Sequence, residues 1–205
     1  MPVIVAQALG ALIFLVGSLW LGSATRRRVD KNAAERASRV SHLLFWMALV
    51  LPGAIGAFYP GLTRYDELLG IPSLPARPFW LAVVVVLLLI GLGLMAVSNR
   101  FLIRTGKGAA AFLLTQELVI DGIYGRTRNP MSLGFYVACV GLGVIAGSTT
   151  LTLAVLSIII PIHLVNLKYF EERELELRYG QRYAEYRRRV PFLLPRLMRK
   201  QKAHA

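Results

Sequence analysis

The sequence predicts an all-α, polytopic integral membrane protein, and three observations carry that prediction. First, 56% of its 205 residues are hydrophobic and only 17% are charged, whereas a soluble domain of this size carries more charge. Second, the mean hydropathy is +0.55, and several stretches approach the roughly 20 apolar residues that cross a bilayer as a helix. Third, lysine and arginine alternate between sparse and dense from one connecting loop to the next.

Five spans follow from the apolar runs: Val3–Leu21, Leu43–Leu62, Phe79–Val97, Pro130–Gly147 and Thr149–Phe170. The first is not a secretory signal in pattern. No basic residue precedes it, while Arg26, Arg27 and Arg28 follow it, so a retained span with its N-terminus outside is expected. The first loop, with Lys31, Arg36 and Arg39, is then cytoplasmic. The second balances Arg64 and Arg77 against Asp66 and Glu67 and reads as external. The third, with Arg100, Arg104, Lys107, Arg126 and Arg128, returns inside. Gly147 to Thr150 forms an uncharged external turn, and the arginine-dense C-terminus is cytoplasmic. After the last span, Leu175, Tyr179, Tyr183 and Tyr186 recur at helical spacing among arginines, which predicts an amphipathic helix along the cytoplasmic interface. The chain thus divides into N-terminal helices (1–78), a core (79–195) and a basic tail (196–205).

A formal net charge of +13 would suggest nucleic acid in a soluble protein. Here the cations flank apolar spans, where they set topology and meet anionic lipid headgroups, so no nucleic-acid partner is expected. The single cysteine, Cys139, lies inside an apolar span and reads as a packing residue. No cysteine and histidine set has zinc-ligand spacing, so no metal is expected, and no serine sits in a nucleophile elbow. The Gly106-Lys107-Gly108 triplet lacks the Walker spacing and belongs to loop geometry.

Chemistry-bearing residues gather at both ends of the last hydrophobic hairpin. Pro130 suits the first turn of a helix, so Arg128 and Asn129 fall just before an N-terminus, where free amides and an arginine can hold a carboxylate. The plainer roles are a snorkelling arginine and an N-capping asparagine. Glu171 and Glu172 end the next span at the same level. Adjacent residues on a helix point about 100° apart, so one of the two turns inward and offers a carboxylate to an ammonium or a ribose. Together these ends complement S-adenosylmethionine, whose methionyl part carries both charges beside a sulfonium that aromatic faces stabilise. Tyr124, Phe135, Tyr136, Tyr169 and Phe170 are candidates for that lining, or ordinary interfacial belt residues. Within the last span His163 and Asn166 are polar. His163 can take a proton from an amine or bond to a neighbouring helix, and Pro161 predicts a kink there.

The run from Gly122 to Gly134, the Glu171-Glu172-Arg173 element, and Tyr179 to Tyr186 closing at Pro191 and Pro195 resemble the isoprenylcysteine carboxyl methyltransferase and phospholipid N-methyltransferase superfamily. The resemblance implies a donor site for S-adenosylmethionine lined by Arg128, Asn129 and Pro130 and by Glu171 and Glu172. It extends that assignment to Gly134 and the Gly91-Leu92-Gly93 element of the preceding span, beside Tyr124 of the aromatic candidates above. It also implies that the C-terminal helix helps cover the pocket. Asn129-Pro130-Met131 is closer to the phospholipid version, which has asparagine where the carboxyl methyltransferases have histidine. Many relatives have tyrosine where this chain has Ser132, a departure that touches the acceptor pocket.

The function expected is therefore methyl transfer from S-adenosylmethionine to a lipid or lipidated acceptor at the cytoplasmic face, with His163 and Asn166 as catalytic candidates. A lipid amine of the phosphatidylethanolamine type is favoured over an isoprenylcysteine carboxylate. Rivals from other classes are a nicotinamide-dependent enzyme resembling membrane sterol reductases, and a non-catalytic scaffold.

Overall fold

The computed structural model describes residues 2–27, 30–56, 64–75, 78–108 and 114–195. Every regular element among them is helical. α1 is Pro2–Arg27. α2 starts at Lys31–Leu44 and runs on through a π-helical Phe45–Val50 into Leu51–Gly56. The short α3 is Arg64–Leu69, and α4 is Pro78–Arg104. A 3-10 turn at Gly122–Gly125 precedes α5, Pro130–Ile145. α6 is the continuous helix Thr149–Tyr179, and α7 is Gln181–Arg189.

Four helices are long and apolar enough to cross a membrane: Val5–Arg27, Lys31–Ile55, Leu81–Arg104 and Thr149–Tyr179. α5 is apolar too but has only 16 residues, a length of about 24 Å. Large apolar side chains point outward, among them Leu12, Ile13, Leu89 and Leu92, as lipid contact requires. The chain is thus an all-helical polytopic membrane protein. The end of the second expected span and the basic tail lie outside the described residues.

Two elements depart from the sequence reading. The basic stretch after the first span, read as a loop, is helical from Lys31. Asp30 initiates it by accepting hydrogen bonds from the Asn32 and Ala33 amides, both at 3.1 Å. Ala34, Ser38 and Ser41 follow at helical spacing and form its buried face. The single amphipathic helix expected at the C-terminus is two helices. Gly180, at φ +56°, stops α6 in a conformation open to glycine and turns α7 back toward the bundle. Tyr183 and Tyr186 are consequently buried inside the protein.

Pro161 leaves α6 continuous. The helix widens into π geometry at Val155–Ile159 just before it, which accommodates the ring and the missing donor, and again at Asn166–Glu171. α6 packs on α1 and on the start of α2, with Phe14 fully buried among Ala11, Leu49, Phe45 and Ile162. α4 and α5 pack along each other. Gly91 and Gly134 allow that approach: a Cβ at Gly91 would fall 2.6 Å from Ala138 N, and one at Gly134 would fall 2.6 Å from Gly91 O.

The α5–α6 turn is clamped from α3. Asp66 accepts hydrogen bonds from Thr150 N at 2.7 Å, Thr149 N at 3.0 Å and Ser148 Oγ at 3.3 Å. Ser148 itself accepts from Leu151 N. A carboxylate and a hydroxyl thus satisfy the free amides at the start of α6. Burial pushes the Asp66 carboxyl up, but its hydrogen bonds to Thr150, Ser73 and Thr149 outweigh this and leave it below its ordinary value.

Candidate active site

Between the α4–α5 pair and the α2–α6 wall lies a cavity of about 650 Å³. Its chemistry divides into two ends. One is charged and phenolic, with Arg128, Glu171, Glu174, Arg178, Tyr124 and Tyr183. The other is aromatic, with Phe45, Trp46 and Phe135 beside His42, His163 and Asn166.

The charged end is built by the chain just before α5, the end of α6, and α7. Arg128 leaves the loop two residues before Pro130. It is held by Glu172, whose Oε1 lies 2.5 Å from its Nη1, while Glu172 Oε2 lies 3.0 Å from Lys168 Nζ. Both partners of the first pair are buried, at 7% and 8% side-chain exposure. Arg128 Nε remains buried with no hydrogen-bond partner among the described residues. Of the adjacent glutamates, Glu171 lines the cavity with no salt-bridge partner among the described residues, whereas Glu172 is engaged by Arg128 and Lys168. One of the pair faces the cavity because the two point in different directions around α6.

Glu174 and Arg178 complete this end. Their pair, 2.9 Å long, is nearly inaccessible to solvent, and Arg178 also donates to the Thr115 carbonyl. An i,i+4 pair of this kind is ordinarily a solvated surface pair. Its burial follows from α2 packing over this part of α6. Glu35 of α2 lies 3.9 Å from Arg178 Nε.

A strap formed by residues 190–195 lies under the Arg128-Asn129-Pro130 element. Pro191 O accepts from Arg128 N at 2.9 Å, Phe192 O from Asn129 Nδ2 at 2.9 Å, and Leu193 O from Thr127 Oγ1 at 2.7 Å. The Phe192 ring faces Arg128 and Lys168 at 5.5 and 4.7 Å. Asn129 makes no side-chain N-cap; its amide secures the strap. Tyr186 donates to the Tyr124 carbonyl at 2.7 Å, tying α7 to the same loop. Burial pushes the phenols of Tyr124, Tyr183 and Tyr186 up, reinforced by Glu171 at Tyr124 and by Glu172 at Tyr183, so all three remain protonated donors.

At the aromatic end, His163 Nδ1 lies 2.9 Å from the Tyr136 hydroxyl. The imidazole is flanked by Phe45, Phe135 and Phe14 at centroid distances of 4.9, 6.0 and 6.3 Å. Asn166 Oδ1 accepts from Ser41 Oγ of α2 at 3.0 Å. Both expected catalytic residues therefore line the cavity.

The three glycines expected at the donor site are not among the residues that line this cavity. Gly91 and Gly134 are the α4–α5 contact, and Gly93 faces open space; none lines the cavity. Of the other expected donor residues, Tyr124, Arg128, Asn129, Pro130 and Glu171 line it, and Glu172 stands behind Arg128. Sequence reasoning missed Ser41 and His42, because the basic stretch that carries them was read as loop, and Phe45 and Trp46, because in an expected span they read as ordinary apolar residues. The helical spacing of Ala34, Ser38 and Ser41 was the signal available.

The residues at the charged end suit a methyl donor of the S-adenosylmethionine type. A cavity-lining arginine whose Nε has no hydrogen-bond partner and a cavity-lining glutamate with no salt bridge, both among the described residues, match an α-carboxylate and an α-ammonium. No set of three or more histidine, cysteine, aspartate or glutamate side chains among the described residues could hold a metal ion.

Comparison with known proteins gives two matches. Over 76 residues the chain is 42% identical to methanethiol S-methyltransferase 2 of Bradyrhizobium diazoefficiens; the match spans 37% of this chain and 27% of that relative. No solved structure matches significantly. The profile of the phospholipid methyltransferase family matches residues 79–182, which run from the start of α4 into α7 and contain most of the cavity. By that match, the chain belongs to the phospholipid methyltransferase family.

Proposed function

We propose that the protein is an S-adenosylmethionine-dependent membrane methyltransferase whose donor and acceptor occupy the two ends of one cavity. The observation that carries this reading is the continuity of that cavity, which joins the charged end at Arg128 and Glu171 to the aromatic end at His163. When bound, the donor supplies a methyl group on a positively charged sulfur. Arg128 and Glu171 would hold the opposite charges of its methionyl group, and the protonated phenols of Tyr124 and Tyr183 would offer donors beside them.

His163 and Asn166 serve the acceptor end. His163 would take the proton that an amine acceptor must lose before its nitrogen lone pair can receive the methyl group, and Asn166 would orient that acceptor. Positioning and exclusion of water are the main sources of acceleration for such an in-line transfer. The acceptor favoured is a lipid amine of the phosphatidylethanolamine type, entering from the membrane, with the charged end at the cytoplasmic face and the N-terminus outside. The alternating loop charges support that orientation.

A second reading has support from the relative named for methanethiol: methylation of a small thiol at the same place. The test is one assay with methyl-labelled donor, run in parallel with total membrane lipid and with methanethiol. Labelled lipid supports the first reading, and labelled dimethyl sulfide supports the second. No transfer to either, together with no binding of S-adenosylhomocysteine, removes both.

A further inference from the structure

We propose that a second cavity, on the outer side of Arg178, binds a phosphate-bearing ligand, and that its occupancy is coupled to the donor end through the Arg178 guanidinium. The site stands independently of the methyltransferase reading; the coupling rests on it. The cavity holds about 600 Å³ and is lined by Lys31, Glu35 and Arg39 of α2, by Thr115 and Gln116, and by Arg178 near the end of α6. Thr115, Arg178 and Tyr179 also line the larger cavity, so the two share a wall.

The donors of Arg178 are divided between the two cavities. Nη1 pairs at 2.9 Å with Glu174, which lines the larger cavity and not the outer one. Nη2 donates to the Thr115 carbonyl in the shared wall. Nε is buried with no hydrogen-bond partner among the described residues, on a side chain only 5% exposed. It lies 3.9 Å from Glu35, which lines the outer cavity alone, and that is too far for a hydrogen bond. A buried donor left unpaired is costly, so a ligand oxygen that accepts from Nε is favoured there.

The surroundings specify the ligand's chemistry. Among the described lining residues, three cations stand against one carboxylate, Glu35. Lys31, Glu35 and Arg39 recur every four residues and so share a face of α2. Lys31 and Arg39 have no ion pair among the described residues, whereas Glu35 is engaged by Arg178. A carboxylate offers two coplanar oxygens and is satisfied by one guanidinium. A phosphate spreads its oxygens tetrahedrally and suits cations that converge from separate helices. An anion on Nε adds a third tie to a guanidinium that already holds Glu174 and the Thr115 carbonyl, to which Tyr179 also donates at 2.8 Å. The shared wall is then stiffer, and a donor behind it leaves more slowly. Linkage requires each ligand to tighten the other by the same factor.

The test uses the full chain in nanodiscs at fixed ionic strength, in two arms that separate a soluble phosphate from a lipid headgroup. In phosphatidylcholine discs, sn-glycerol 3-phosphate is titrated by calorimetry. In the other arm phosphatidylglycerol replaces part of the phosphatidylcholine, no soluble phosphate is added, and thermal unfolding is followed. Saturable binding in the first arm identifies a soluble ligand; a raised melting temperature in the second alone identifies the headgroup. In whichever arm responds, Arg39→Gln should weaken the response about ten-fold, as loss of one charge-assisted contact does. Glu35→Gln should strengthen it, because the competing carboxylate is gone. No response in either arm overturns the proposal, and so does a response that Arg39→Gln leaves unchanged. S-adenosylhomocysteine affinity that is the same with and without the anion overturns the coupling. Failure of S-adenosylhomocysteine to bind at all defeats the methyltransferase reading instead, while the two anion arms still decide the site.

Discussion

Asn129 donates its side-chain amide to the Phe192 carbonyl at 2.9 Å, tying the strap at the end of the described chain to the start of α5. Asparagine at this position is therefore a brace, and the guanidinium next to it is held over the Phe192 ring that the brace positions. Asn129→Ala leaves the Phe192 carbonyl without its donor, a loss of roughly 1–3 kcal/mol where such a group is buried. Hydrogen exchange across residues 190–195 should accelerate, and S-adenosylhomocysteine should bind more weakly. Unchanged exchange there would show that the Arg128 amide and Thr127 hold the strap unaided.

The Arg128–Glu172 pair makes a different prediction for the two glutamates. Glu172→Ala strands a buried guanidinium and should destabilise the protein by roughly 3–5 kcal/mol. Arg128→Ala does the same to Glu172, although Lys168 remains to partner the carboxylate. Glu171→Gln should leave thermal stability near wild type and weaken donor binding about ten- to a hundred-fold, as loss of one charge-assisted contact does. Calorimetry with S-adenosylhomocysteine, alongside thermal unfolding, separates the two classes. A stable Glu172→Ala protein with reduced donor affinity would reverse their roles.

His163→Ala should lower turnover on an amine acceptor while donor affinity stays near wild type, because the imidazole serves the acceptor end alone. Tyr136→Phe removes the group at its Nδ1 and should give a smaller loss in the same direction. Single-turnover kinetics with saturating donor reads both. Full turnover in His163→Ala assigns the residue to packing among Phe14, Phe45 and Phe135.

Glycine substitutions on α4 should split sharply. Gly91→Ala puts a methyl group 2.6 Å from a backbone nitrogen of α5, so the α4–α5 crossing must open and the melting temperature fall. Gly93→Ala meets nothing within 4 Å and should be silent in both stability and donor binding. Weakened donor binding in Gly93→Ala would restore the glycine pair to the donor site.

Asp66 links stability to pH. Its carboxyl is held below its ordinary value, so its contribution is fully present above the unfolded pKa of about 4. That contribution is lost as pH falls from there through the folded value, when protonation removes the charge that the α6 amides favour. Thermal unfolding in this acid range should steepen for wild type and flatten for Asp66→Asn. Parallel slopes in the two proteins would remove Asp66 from the acid response.

Much of the architecture was legible because a bilayer makes strong demands on sequence. Long apolar runs marked α1, α4 and α6, and Pro130 and Gly147 marked the ends of the α5 region. The start of α2 was not legible by charge alone. Its helix depends on a cap at Asp30 and on small residues facing a neighbour, and basic residues on its outer side masked both. At the site, residue type pointed to Arg128 and Glu171, but pairing is tertiary information. Nothing local in the sequence told that Glu172 is held by Arg128, that Asn129 faces Phe192, or that Gly180 folds the tyrosines inward.

The unequal lengths of α5 and α6 bear on the membrane itself. α5 spans about 24 Å, less than the roughly 30 Å of a typical hydrocarbon core, while its antiparallel neighbour runs on to Tyr179. Lipids beside α5 must therefore compress or let polar groups descend. Either adjustment brings headgroups closer to the ends of α5, of which Pro130 lines the cavity. Bilayer thickness then becomes a kinetic variable for a lipid acceptor. If the acceptor is the lipid amine proposed above, longer acyl chains deepen the mismatch, and each added methylene raises the work of presenting the substrate.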